Sequence, residues 1–219
     1  VLPLLLSAVL AAGPGAAAGK VVEAVVATVQ ASQIRPVRPI TLTRLKEEAR
    51  VALVARGGTA AAFGKLDGAA LAAALEWLID QTLVVEEADR LQVAEVGRDE
   101  AEQELRRFRA RFDSPEECAR FLAANDLAED ELLVTLARSL RVQRFVERRV
   151  GQAVKVSEAE IDDYLRARGV LGGPSAARDA VRAHLGEQRL AGEVKKIVGE
   201  LRARATVRIL VPPAEVVSE

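Results

Sequence analysis

Apolar residues recur at spacings of mostly three and four through residues 70–91: Leu71, Leu75, Leu78, Ile79, Leu83, Val84, Val85, Ala88 and Leu91. Neither Gly nor Pro interrupts them, so the pattern predicts one continuous helix. The apolar face nearly encircles its middle, as expected of an element packed on more than one side. Glu86, Glu87, Asp89 and Arg90 gather near its end, where one face is expected to meet water. The rest of the chain is read around this helix.

Upstream, residues 21–30 (VVEAVVATVQ) are rich in β-branched side chains and predict a strand. Arg35, Pro36, Arg38 and Pro39 mark a loop that cannot be helical. Thr41 then caps a helix to about residue 55, with Leu42, Leu45, Ala49, Leu53 and Val54 inward, and Gly57-Gly58 ends it. Residues 59–68 are small, Gly-rich and consistent with loop or weak helix, and Asp67 can cap the central helix.

Downstream, Leu105, Phe108 and Phe112 stand at helical spacing within residues 100–112. Ser114-Pro115-Glu116-Glu117 is a start signal: serine as N-cap, proline in the first turn, Glu117 closing a capping box. The short helix it opens carries Cys118, Phe121 and Leu122. A long amphipathic helix follows over residues 129–150, and Ser157 with Glu160 opens another. Gly169, Gly172, Gly173 and Pro174 form an internal linker. Residues 176–203 are helical again, and residues 206–211 (TVRILV) predict a strand. A strand at each end cannot satisfy its backbone alone, so the two are expected to pair. The expected fold is mainly α, a multi-helix domain whose N- and C-terminal ends are joined by a small antiparallel two-stranded element.

The composition narrows the function classes. The chain has 219 residues, 31 basic against 32 acidic side chains, and a net charge of -1. No global field attracts nucleic acid or an anionic membrane. One cysteine excludes an internal disulfide framework, and Cys118 reads as a small buried apolar residue. His184 has no second histidine near it, so neither a metal site nor a cofactor is expected. Acidic pairs such as Glu86-Glu87 and Asp162-Asp163 sit at helix ends, where solvation explains them better than acid–base catalysis. Residues 1–12 are apolar but too short to span a bilayer, and Gly13-Pro14-Gly15 with Ala16-Ala17-Ala18 follow. Residues 1–19 are therefore expected to be a cleaved export signal, trimmed at its start, and residues 20–219 one periplasmic domain.

The order of segments resembles the N-terminal chaperone domain of the SurA-type periplasmic foldases. The resemblance is carried by Val21-Val22-Glu23-Ala24-Val25-Val26-Ala27-Thr28-Val29 and by Ile40-Thr41-Leu42-Thr43-Arg44-Leu45. It continues through Leu75-Glu76-Trp77-Leu78-Ile79-Asp80 to Glu86-Glu87-Ala88-Asp89-Arg90-Leu91, then Val156-Ser157-Glu158-Ala159-Glu160-Ile161-Asp162-Asp163-Tyr164. It closes with Leu201-Arg202-Ala203-Arg204-Ala205-Thr206-Val207-Arg208-Ile209-Leu210. Two departures stand out. Residues 31–39 replace a tight turn with a longer Arg- and Pro-containing stretch, and residues 166–175 form only a short linker where relatives insert a parvulin prolyl-isomerase domain. The isomerase pocket of that class uses paired histidines; this chain has one His and no Met.

The resemblance implies an ATP-independent periplasmic chaperone for unfolded polypeptides, among them outer-membrane precursors, without isomerase catalysis and without a cofactor. Two alternatives stand beside it: an assembly subunit binding one folded partner, and an accessory subunit of a separately encoded isomerase. The sharpest local feature is Arg106-Arg107-Phe108-Arg109-Ala110-Arg111-Phe112. Near-zero net charge argues against nucleic acid there and for an amphipathic helix with Phe inside. Phe108, Phe112, Phe121 and Leu122 are candidate peptide-binding residues, apolar surface kept soluble by arginines, or else local core. Long helices, a Gly/Pro linker and pairing terminal strands also permit homodimers by segment exchange.

Overall fold

A computed structural model describes residues 23–57, 63–151, 153–170 and 174–212 of the chain. The apolar run of residues 1–12, the cleavage pattern at Ala16-Ala17-Ala18 and the linker glycines Gly172 and Gly173 lie outside the described residues. The elements in order are β1 (Val25–Gln30), β2 (Arg38–Thr41), α1 (Leu42–Gly57), α2 (Gly68–Arg90), α3 (Arg98–Arg109), α4 (Pro115–Ala124), α5 (Glu129–Val150), α6 (Glu158–Arg166), α7 (Ser175–Arg204) and β3 (Thr206–Ile209).

The terminal strands pair as their isolation demanded. β3 runs antiparallel to β1, with Ala27 opposite Ile209 and Gln30 opposite Thr206. The sheet has a third member. β2 pairs on the other side of β1, giving the order β2-β1-β3, and it occupies part of the stretch read from sequence as loop. Pro39 is tolerated because β2 is an edge strand, where the missing N–H costs no ladder bond. The sheet is three-stranded rather than two-stranded, and it joins the ends of the chain within one molecule.

α2 is the post of the main core. It packs against α1, α5, α7 and β1. By length and composition α2 matches a membrane span, but Leu71, Leu75, Leu78, Ile79 and Leu83 are the interior of this fold. Val26 and Val29 of β1, Ile40, Leu45, Phe145, Ile197 and Leu201 close around them. Full burial of each Leu or Ile contributes roughly 1.5–3 kcal/mol. Arg202 at the end of α7 donates to Asp80 (2.5 Å) and Glu76 (2.8 Å), and Arg204 meets Glu87 (2.6 Å), latching α7 onto α2.

Two smaller cores flank the first. Val51 and Val54 at the end of α1 join α3, α4 and the start of α5 around Phe108, Phe112 and Phe121. Ile161 and Leu165 of α6 pack on Val181 of α7. There Arg178 and Arg182 hold Glu158, Arg168 lies 3.5 Å over the Tyr164 ring, and the His184 ring meets Tyr164 at a tilt of 59° with centroids 5.8 Å apart. α7 thus reaches from this third core to the first.

Local signals position these elements. Asp67 Oδ1 accepts the Ala70 N–H at 2.7 Å, and Ser114 Oγ accepts that of Glu117 at 3.2 Å. Glu117 returns to the N–H of Asp113 (2.9 Å), one residue before the expected serine. The Ser157–Glu160 box forms in both directions. Gly169, at φ +74, supplies the left-handed residue that turns the chain after α6.

Candidate peptide-binding cleft

Three helices each contribute one face, at spacings of three and four, to an open cleft of about 640 Å3. α2 presents Thr82, Val85, Glu86 and Asp89; α5 presents Asp130, Glu131, Val134, Thr135 and Arg138; α1 presents Arg44, Glu47 and Glu48; Arg38 comes from β2. The apolar part is small and β-branched. Val134 is 63% exposed, and Val85 is half-buried. Thr82 spends its hydroxyl on the Leu78 carbonyl at 2.7 Å.

The charges fall into paired and unpaired groups. Glu48 is buried and receives the Arg44 Nε at 3.1 Å and Arg138 on the same oxygen. Arg38 Nε donates to Glu86 Oε1 at 2.8 Å. Arg141 pairs with Asp89 at 2.7 Å. Glu86 is also buried, at 5% exposure, although its sequence neighbourhood suggested a solvated helix end. Its arginine partners come from the β1–β2 region, 48 residues away at Arg38, so no local pattern announces them. Among the described residues, Glu47, Asp130 and Glu131 make no ion pair. Burial, and next the charge of Glu131, push the Glu47 carboxyl above its ordinary value.

The residues singled out from sequence sit elsewhere. Phe108, Phe112 and Phe121 form a ring cluster with centroid separations of 5.6, 6.0 and 5.4 Å. Each is buried, so the rings are the core of the α3–α4 arm rather than an exposed apolar surface. The reason is geometric: the end of α1 and the start of α5 close over them. Phe112 and half-buried Leu122 do reach a second hollow of about 550 Å3, together with Cys118, Ser114, Arg109 and Glu129. Cys118 is buried there, and burial raises its thiol. The arginines of the arm face carboxylates and carbonyls: Arg107 meets Glu104 at 3.0 Å, Arg109 meets Glu129, and Arg111 donates to the Ala55 carbonyl at 2.8 Å. Among the described residues no three His, Cys, Asp or Glu side chains converge as a metal site.

Sequence reading missed the cleft but held a clue to it. Thr82, Glu86 and Asp89 form one polar stripe along the largely apolar α2, apart from the Glu76, Asp80 and Glu87 stripe that meets α7. A polar stripe on a central helix signals a buried network or a candidate site, and this one lines the cleft. No protein-family model matches the chain. No curated protein matches it.

Proposed function

We propose that this protein holds unfolded polypeptide segments in the α1–α2–α5 cleft, without ATP and without covalent chemistry. The observation that carries this reading is the cleft itself: roomy, open, and walled by Val85 and the exposed Val134 beside carboxylates that make no ion pair among the described residues. A rigid apolar strip of this size binds extended chain segments weakly and releases them quickly, because association entropy offsets most of the burial. The segment order resembling the SurA-type foldase N-terminal domain supports the same reading, and with it a periplasmic setting and outer-membrane precursors as clients. No isomerase chemistry is proposed, in keeping with the short 166–175 linker.

A second reading, an assembly subunit docking one folded partner, draws on a different surface. Ile34 is 93% exposed and Val37 is 54% exposed, both in the β1–β2 connection. Suppression of aggregation separates the two. A holding protein protects several unrelated unfolded clients at near-stoichiometric ratios, and Val134→Gln weakens that protection while leaving the fold intact. Protection of none, with co-purification of a single folded partner, overturns the holding reading.

A further inference from the structure

We infer that the segment this cleft selects carries a lysine or arginine beside its β-branched or other small apolar side chains. The inference rests on the proposed holding function and names its client chemistry. The charges that line the cleft lead to it. The cleft lining holds six carboxylates and three guanidiniums. All three guanidiniums are committed: Arg44 and Arg138 to Glu48, and Arg38 to Glu86. Asp89 takes Arg141. What remains is Glu47, Asp130 and Glu131, unneutralised by any ion pair among the described residues, on two facing helices.

The positive end of α5 lies under Asp130 and Glu131 and offsets part of their charge. Glu131 Oε2 also accepts the Ala128 N–H at 2.9 Å, which fixes that carboxylate in place without neutralising it. Glu47 has no such help. Glu131, Glu23, Glu48 and Asp126 all push its carboxyl upward, after burial, so the site gains when a cation arrives. A second observation concerns the buried wall. Glu86 Oε2 accepts no hydrogen bond, and the Arg35 Nε stands 3.9 Å from it. Glu86 lines this cleft and a smaller neighbouring cavity of about 90 Å3. The carboxylates do not converge as a metal site among the described residues. The fitting cation is therefore one on a long, flexible stem that reaches them singly, with its methylenes along Val134 and Val85. An acidic side chain at the same place meets net repulsion, since the cleft's guanidiniums are already held by carboxylates.

The test uses the full chain and three labelled peptides with one Val/Thr frame, differing only in a central Lys, Gln or Glu, read by fluorescence anisotropy. At low salt the Lys peptide binds about fivefold tighter than the Gln peptide, the Glu peptide binds most weakly, and the spread narrows as salt rises. In the triple variant Glu47→Gln, Asp130→Asn and Glu131→Gln the ratio of Lys to Gln affinities falls to about one. Glutamine at residue 131 keeps the cap to Ala128, so the helix start survives. Val134→Gln weakens all three peptides alike. Equal affinity for the three peptides, or a Lys preference that persists in the triple variant, overturns the inference and leaves holding intact. Binding of none of them, or binding untouched by Val134→Gln, overturns both the inference and the cleft as the holding site.

Discussion

Glu48 and Glu47 are neighbours in sequence and opposite in fate. Glu48 is buried at the cleft wall and is held by Arg44 and Arg138, whereas Glu47 lines the cleft with no ion pair among the described residues. A buried carboxylate with two guanidiniums is costly to break, because the arginines are left without their counter-charge. Glu48→Gln is expected to lose about 2 kcal/mol in urea denaturation, against under about 0.5 kcal/mol for exposed Glu131→Gln. Glu87 offers a pH readout. Hydrogen bonds from Arg90 first, then Arg204, against the opposing effect of burial, lower its carboxyl from 4.5 to about 2. A folded-state value below the unfolded one means stabilisation that is full above pH 4.5 and is lost as pH falls towards about 2. Arg204→Ala is expected to raise the Glu87 value, measured by carboxyl NMR titration, and to shrink that acid-dependent loss.

At the scale of elements, α7 is the least supported helix for its length. Its ends are packed, at Val181 and at Ile197 and Leu201, but its middle is largely exposed. Gly186 and Gly192 lie in that middle, and a Cβ at either would meet nothing within 4 Å. Gly→Ala at each is expected to add about 0.5–1 kcal/mol, visible as a rise in Tm, since it lowers the entropy of the unfolded chain at no steric cost. The Phe121→Ala change acts on the arm instead. Phe121 is fully buried between Phe108 and Phe112, so its loss is expected to cost about 3–5 kcal/mol. Hydrogen exchange should rise first in α3 and α4, with the α2 core last.

The elements also show what a sequence can and cannot say. α2, α5 and the Ser157 start were legible because periodicity and caps are local properties. β2 was not, because Pro39 argues against a strand unless its edge position is known. The arm's phenylalanines were legible as apolar, but periodicity does not tell which element covers them. Glu86 was read as solvated because its partners Arg35 and Arg38 approach from a distant segment. The cleft shares that difficulty: its walls are three stripes, each ordinary alone, which only the packing of α1, α2 and α5 brings together.

Across the whole molecule, the sheet ties beginning to end, and α2 is the post on which the sheet, α5 and the latch of α7 converge. The proposed holding of unfolded chains asks for a surface that does not collapse when empty, and the buried pairs at Glu48 and Glu86 brace the cleft walls. The most direct test of the account places a photo-reactive side chain at residue 134 in the cleft, at residue 122 beside the arm hollow, or at residue 190 on the exposed middle of α7, and adds an unfolded client before illumination. Strong cross-links are expected from residue 134, competed by excess unlabelled client, and few from residue 190. Cross-links from residue 134 no stronger than those from residue 190, or confined to residue 122, would contradict the cleft as the holding site.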